Sequence, residues 1–184
     1  MNKEKIQYAD DDVKPVKLLL RLRLPSLFIG LMLGLVLSFV ASRFEDVLSK
    51  NIAVIFFLPF IVYLADSVGT QTQNIYARDL RTGRANFKMY LVKETALGIF
   101  IGLIFSLITA PIVMFWFKST ELTLAVSLAV FGAIATAPLI ALTVTELLQL
   151  EHTDPAVGAG PIATVIQDTI SVLIYGLIAS AIML

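Results

Sequence analysis

The sequence predicts an all-α membrane protein with five transmembrane helices in each subunit. Of its 184 residues, 58% are hydrophobic and 15% are charged, and the mean hydropathy is +0.86. Soluble domains are nearer half apolar and a quarter charged. The apolar residues are concentrated in five runs of 17 residues or more, each long enough to cross about 30 Å of hydrocarbon. These runs are residues 25–41, 52–68, 89–116, 122–148 and 161–183.

Residues 1–23 are polar and charged, and they are predicted to form an amino-terminal segment that is cytoplasmic or interfacial. Leucines alternate with basic residues at 16–24, so this stretch is expected to lie along the lipid headgroups. Residues 24–184 form the predicted transmembrane domain. No small-residue cleavage site follows the first apolar run, which we interpret as a retained helix rather than a signal peptide.

Basic residues in the connections predict the orientation of the chain in a cell membrane. The connection after the second run, together with the first residues of the third, is rich in them: Arg78, Arg81, Arg84, Lys88 and Lys93. The positive-inside rule therefore places this connection and the basic amino terminus in the cytoplasm. Five spans then place the carboxyl terminus outside.

Several function classes lack support in the sequence. The net charge is zero, so nothing favours nucleic acid as a partner, whereas membrane lipid is an expected one. There is no cysteine, which excludes thiolate metal sites and cysteine nucleophiles. No nucleophile–base arrangement, phosphate-binding loop or hydrolase motif is found, and we do not expect an enzyme.

Asp168 is the first candidate functional residue, because it lies about 15 Å inside the fifth predicted span at 1.5 Å per residue. An ionised carboxylate at that depth costs about 2.5–3.5 kcal/mol or more unless it faces water, a cation or a partner. No lysine or arginine lies at that depth in any predicted span. Thr164 and Gly160 share its helical face, which suits a water-filled path. The alternative is an aspartate that is held neutral or paired within the bundle.

Asp66 is the second candidate and belongs to a polar stripe on the second predicted span. Polar residues recur along this stripe at three- and four-residue steps: Asp66, Ser67, Thr70, Gln71 and Asn74. We predict that this stripe lines a pore, although it could simply be the end of a helix that enters water. Gly69 would permit a break in the helix or a close backbone approach.

The oxygen donors of these residues favour hard cations such as Mg²⁺, Ca²⁺ or Mn²⁺ over softer metals. Mg²⁺ dehydrates reluctantly, so a site with few carboxylates that holds the ion through its water shell fits best.

Elsewhere, His152 is expected to be a solvated loop residue, and Asp154 is expected to cap the fifth helix. Glycine pairs at 30 and 34 and at 98 and 102 are candidate helix contacts.

Two motifs resemble the membrane domain of the MgtE family of magnesium channels and transporters. In the first motif, four residues match the family pattern: Pro59, Gly69, Gln71 and Arg78. Ala65-Asp66-Ser67 stands where the family has a Gly-Gly-Asn triplet. The second is the run Asp154-Pro155-Ala156, Gly160-Pro161, Asp168 and Leu173-Ile174-Tyr175, which resembles the fifth helix of the family. Together with the five spans, the two motifs cover nearly all of residues 24–184.

This resemblance implies a homodimer with its ion path at the subunit interface, lined by the second and fifth helices. It also places Asp168 at the carboxylate that binds hydrated Mg²⁺. An extra carboxylate at Asp66 would strengthen or relocate the site, or change which ion is chosen. Typical members carry cytoplasmic regulatory domains, so we expect gating by a separate regulatory subunit or loop, or else a minimal or truncated chain.

The sequence therefore predicts a channel or facilitative transporter for a divalent cation, most suitably Mg²⁺, with Asp168 and Asp66 as metal-binding residues. The predicted pore-lining residues are Ser67, Thr70, Gln71, Asn74, Gly160 and Thr164. Two alternatives stay open at this point. One is a proton- or sodium-coupled divalent cation exchanger, and the other is a membrane scaffold that transports nothing.

Overall fold

The computed structural model describes residues 12–150 and 155–184, and it confirms an all-α fold with five long apolar helices. The predicted His152 loop and Asp154 cap lie outside the described residues. The helices in chain order are α1 Val16–Ser42, α2 Glu45–Lys50, α3 Ile52–Arg81, α4 Phe87–Phe117, α5 Thr120–Leu150 and α6 Pro155–Met183. All but α2 are long and apolar enough to span a membrane.

The observed helices are longer than the predicted spans. Residues 16–24 form the first turns of α1 and are continuous with the first span, so the predicted boundary at residue 23 falls inside a helix. α3 runs without a break through Gly69 as far as Arg81. Of the two roles expected for Gly69, a break or a close approach, the structure therefore shows the close approach, to Ala137 of α5.

Polar caps define where several helices begin. The Asn51 side chain accepts a hydrogen bond from the Ala53 amide at 3.2 Å at the start of α3, and Asn86 accepts one from the Met89 amide at 3.1 Å at the start of α4. The turn between α3 and α4 contains Gly83 with φ +70°, a conformation that favours glycine.

Successive long helices run antiparallel, so the bundle has two ends. We call the end that contains residues 78–93 the basic end, and the opposite end the α2 end. At the α2 end, Val47 of α2 is buried and the Phe44 ring lies over Gly176 of α6. The Tyr175 hydroxyl donates to the Val54 carbonyl at 2.9 Å, which ties α6 to the start of α3.

α5 is the central helix and packs against α3, α4 and α6. Alanines recur at four-residue steps along it and are all buried: Ala125, Ala129, Ala133, Ala137 and Ala141. Small side chains on a membrane helix let neighbouring backbones approach closely. α1, by contrast, packs against α6 and exposes most of its apolar side chains, as a lipid-facing helix does.

The glycine pair on α4 is a helix contact, as the sequence predicted. A Cβ added at Gly102 would lie 2.9 Å from the Phe131 carbonyl oxygen of α5, and one at Gly98 would lie 3.0 Å from the Pro138 side chain. The pair on α1 is divided. Gly30 lies near Pro161 of α6, whereas a Cβ at Gly34 would meet no atom of the described residues within 4 Å.

Replacing Gly102 by valine should therefore destabilise the bundle by about 1–3 kcal/mol, because the backbone carbonyl of Phe131 cannot move aside as a side chain can. Gly34→Val is the matched control, since it makes the same change of residue type in open space. Thermal unfolding in detergent measures the difference. Equal midpoints for the two variants would contradict the close α4–α5 contact.

Candidate functional site

The two acidic residues predicted from the sequence lie at mid-length on two helices that pack against each other. Asp66 stands near the middle of α3 (Ile52–Arg81), and Asp168 stands near the middle of α6 (Pro155–Met183). Both side chains are half-buried. Asp66 was expected toward the end of its span, and it is central because α3 continues beyond the apolar run.

A hydrogen bond joins α3 and α6 at this level. The Thr164 hydroxyl donates to Asp66 Oδ1 at 3.0 Å. Asp168 is close enough to Asp66 for the two negative charges to repel. Asp168 Oδ1 is buried and finds no hydrogen-bond partner among the described residues. We refer to Asp66, Thr164 and Asp168 as the acidic site.

Gln167 adds a further unsatisfied acceptor beside the acidic site. Its side chain is only 3% exposed, and its Nε2 donates to the Ala133 carbonyl at 3.3 Å and to Ser171 Oγ at 3.2 Å. Its Oε1 is buried and has no partner within the described part of the chain. A buried polar group without a partner costs about 1–3 kcal/mol. Two buried acceptor oxygens in this region, Asp168 Oδ1 and Gln167 Oε1, therefore lack a donor among the described residues.

A small cavity of about 10 Å³ lies between α3, α5 and α6. Its polar lining consists of Asp66, Thr70, Gln73, Thr164 and Gln167, and its apolar wall includes Ala137 and Ala141 of α5. This volume has room for about one water molecule. An ion that keeps its hydration shell is too large for it.

The rest of the polar stripe lies on the open surface of α3. Ser67, Thr70, Gln71 and Asn74 all reach that surface, and so does Tyr63 one turn earlier. Ser67 also donates to the Tyr63 carbonyl at 2.7 Å. Lipid cannot satisfy the accessible amide and hydroxyl groups of such a surface. This face of the helix therefore requires water or another polar surface.

Within residues 12–150 and 155–184, no group of three or more histidine, cysteine, aspartate or glutamate side chains is arranged to hold a metal ion. The acidic site supplies two carboxylates from one chain.

Comparison with known proteins identifies the family. The sequence profile of MgtE, described as a divalent cation transporter, matches residues 58–178, which is most of the chain and runs from α3 into α6. The chain belongs to the MgtE family.

Three curated relatives carry the name Magnesium transporter MgtE. The Bacillus subtilis protein is 30% identical over 162 residues, which is 86% of this chain and 36% of the relative. The Enterococcus faecalis protein is 30% identical over 164 residues, covering 88% of this chain and 36% of the relative. The Thermus thermophilus protein is 26% identical over 152 residues, covering 81% of this chain and 34% of the relative. The chain thus spans about a third of the length of these relatives.

In this MgtE chain the structure brings together only some of the residues that the sequence singled out. Asp66, Thr70 and Thr164 meet at the cavity, and Asp168 lies beside it. Ser67, Gln71 and Asn74 lie on the outer surface of α3. Gly160 is not part of the cavity wall, and a Cβ added there would lie 3.9 Å from Gln73 Nε2.

Sequence reasoning missed Gln73 and Gln167. Gln167 carried a usable signal, because an amide inside an apolar span is as unusual as the carboxylate that follows it. Gln73 carried a weaker one. It stands between Gln71 and Asn74 in a polar segment, and only the position of α6 shows that Gln73 faces inward.

Replacing Thr164 by valine should lower the stability of the bundle by about 1–3 kcal/mol, because Asp66 loses its hydrogen-bond donor while it stays half-buried. Thr169→Val is the matched control, since the Thr169 hydroxyl donates only to the Val165 carbonyl of its own helix, at 2.7 Å. Thermal unfolding of both variants at one detergent concentration checks this. An equal loss in the two would argue against the bond between α3 and α6.

Proposed function

We propose that this chain moves a divalent cation, most suitably Mg²⁺, across the membrane and that Asp168 and Asp66 bind the ion on its way. The observation that carries the proposal is a pair of buried acceptor oxygens without donors in the described part of the chain, at mid-length in the bundle. Asp168 Oδ1 and Gln167 Oε1 lack donors among the described residues, and two carboxylates repel each other nearby. A cation relieves both the missing partners and the repulsion.

The ligand set favours Mg²⁺ that keeps much of its water shell. Carboxylate, hydroxyl and amide oxygens suit hard cations. The cavity of about 10 Å³ cannot hold a hydrated ion, so the ion would sit on the open side of the acidic site, beside the polar stripe of α3. There, waters would connect the ion to Asp168 and Asp66, with Ser67, Thr70, Gln71 and Asn74 lining the path.

A homodimer supplies the missing wall of that path. A two-fold axis brings the same surface of each subunit face to face. Two copies of the polar stripe would then enclose water rather than meet lipid, and two acidic sites would offer four carboxylates to one ion. The resemblance of the motifs to the MgtE membrane domain supports the same assembly.

The basic end is proposed to be cytoplasmic, in keeping with the positive-inside rule, with the carboxyl terminus outside. An inside-negative potential would then drive the cation inward. Two charges that cross about 100 mV gain roughly 4.6 kcal/mol, which is twice the value for one charge. Facilitated entry therefore needs neither a second substrate nor chemistry of the enzymatic kind.

Proton- or sodium-coupled exchange is the second candidate, and the small cavity favours it. One water-sized ligand fits beside Asp66, Thr164 and Gln167. A monovalent cation or a proton-carrying water could occupy that position while the divalent ion uses the open side. Flux that collapses when the proton or sodium gradient is removed would establish exchange, and flux that follows voltage alone would exclude it.

Magnesium flux into liposomes tests the proposed site. Asp168→Ala should lower the flux at least about tenfold, the change that 1.4 kcal/mol of lost binding produces. Asp46→Asn on the exposed surface of α2 is the control for loss of a carboxylate elsewhere, and it should keep full flux. Equal flux in wild type and Asp168→Ala would remove the site from the pathway.

The proposed dimer can be tested by cross-linking, since the chain has no native cysteine. Ser67→Cys lies on the polar stripe, and its oxidation should yield a covalent dimer in membranes. Leu103→Cys is the control, because it is also exposed but lies on the surface of α4. Cross-linking through residue 103 but not through residue 67 would mean that the stripe does not face a second subunit.

A further inference from the structure

Three hydrogen bonds between hydroxyls and carboxylates connect α3 to its neighbours at the basic end. The Thr72 hydroxyl donates to Glu94 Oε2 of α4 at 2.8 Å, Tyr76 donates to Glu146 Oε2 of α5 at 2.5 Å, and Tyr90 of α4 donates to Asp79 Oδ2 at 2.5 Å. We call these six side chains the hydroxyl–carboxylate clamp. None of them belongs to the acidic site.

The clamp matters because α3 and α4 pack poorly along their length. α4 packs closely on α5, whereas an apolar groove of about 260 Å³ separates α4 from α3 and is lined by Phe60, Thr109 and Trp116 among others. At the α2 end the Phe117 ring packs against the Phe57 ring, with centroids 5.3 Å apart. At the basic end, hydrogen bonds between side chains join α3 and α4 in addition to ring contacts.

The two clamp donors on α3, Thr72 and Tyr76, are both buried. Tyr76 is 1% exposed, and its ring meets the Tyr90 ring edge-on with centroids 4.8 Å apart. The Phe87 ring also packs against Tyr76, with centroids 6.3 Å apart. Hydrogen bonds that are shielded from water in this way are stronger and more mutually dependent than exposed ones.

The clamp is rigidly connected to the acidic site. Ala65, Gly69, Thr72 and Tyr76 form one buried stripe of an unbroken helix. Thr72 is six residues, or about 9 Å, from Asp66 along that helix. Between the two, Gly69 packs against α5, since a Cβ added there would lie in ordinary contact with the Ala137 carbonyl oxygen, at 3.5 Å. A shift of α3 at the clamp therefore moves Asp66 relative to Thr164 and Asp168.

We propose that Glu94, Glu146 and Tyr90 are positioning residues for ion binding, because through Thr72, Tyr76 and Asp79 they hold α3 where Asp66 pairs with α6. This inference rests on the proposed transport function. They touch no ion themselves. Loss of a clamp bond lets Asp66 sample positions away from Thr164, which weakens ion binding without removing a ligand.

Transport kinetics in liposomes test the positioning role. Thr72→Val and Tyr76→Phe should each raise the KM for Mg²⁺ about threefold to tenfold, the size of effect that residues coupled to a site from a distance produce. The maximal rate per folded protein should change less than about twofold, because no ion ligand is lost. Thr72→Ser and Glu146→Gln keep a donor and an acceptor, respectively, and should retain the wild-type KM.

A control variant and a double variant separate the effect of the clamp on KM from the effect of a general loss of stability. Thr95→Val removes a hydroxyl next to Glu94 that donates to the Leu91 carbonyl of its own helix, at 2.6 Å, so it should leave the KM unchanged. The double variant Thr72→Val/Glu94→Leu should raise the KM no more than either single change, because both remove one bond. Additive effects would overturn the proposal, and so would an unchanged KM in folded Thr72→Val and Tyr76→Phe.

A distance measurement distinguishes failure of the clamp from failure of the proposed function. Spin labels at Tyr63→Cys and Leu177→Cys report the position of α3 relative to α6, in protein diluted with unlabelled chains. Tyr76→Phe should broaden the distance distribution. An unchanged distribution overturns the clamp even if Mg²⁺ is transported. A broadened distribution in a protein that carries no Mg²⁺ would retain the clamp and reject its role in transport.

Discussion

A carboxylate at the centre of an apolar helix bundle is the constraint on which the rest of the structure depends. Asp168 stands at mid-length in α6, its Oδ1 has no donor among the described residues, and a second negative charge, Asp66, lies nearby. Burial of charge in a medium of low dielectric is tolerated only where something compensates it. The donor that the structure provides, Thr164, serves Asp66 alone. In the proposed function, a cation supplies the compensation that Asp168 still lacks.

The packing of the bundle leaves this site open on one side of the helices and seals the other. The buried alanines of α5 let α3, α4 and α6 come close, so the inner side of the acidic site narrows to a cavity of about 10 Å³. The outer side stays open along the polar stripe of α3. The small residues of α5 thus make the inner side of the acidic site too narrow for a hydrated ion. In the proposed function, such an ion binds on the outer side.

Apolar and polar contacts fix different aspects of the position of α3. Close packing against α5 sets its distance from the core, through Gly69 and Ala137 for example. Van der Waals contact has little directional preference and allows a helix to slide or turn. Hydrogen bonds such as those of Thr72 and Tyr76 fix rotation and register, because they weaken steeply with poor geometry. In the proposed function α3 carries the ion ligand Asp66, so both kinds of contact are needed.

The sequence by itself determined the fold class and the five long apolar helices, because bilayer thickness acts on local composition. It singled out Asp66 and Asp168 as candidates, because buried charge is costly. It also marked the glycine pairs, although it could not tell that Gly102 packs against α5 while Gly34 has no close neighbour in the described part of the chain. Only the tertiary structure decided that Thr164 donates to Asp66, that Gln167 faces inward and that α3 is held by carboxylates from two other helices. Those contacts join residues 22 to 98 positions apart. Their geometry depends on how whole helices rotate and pack, which no local pattern of residues encodes.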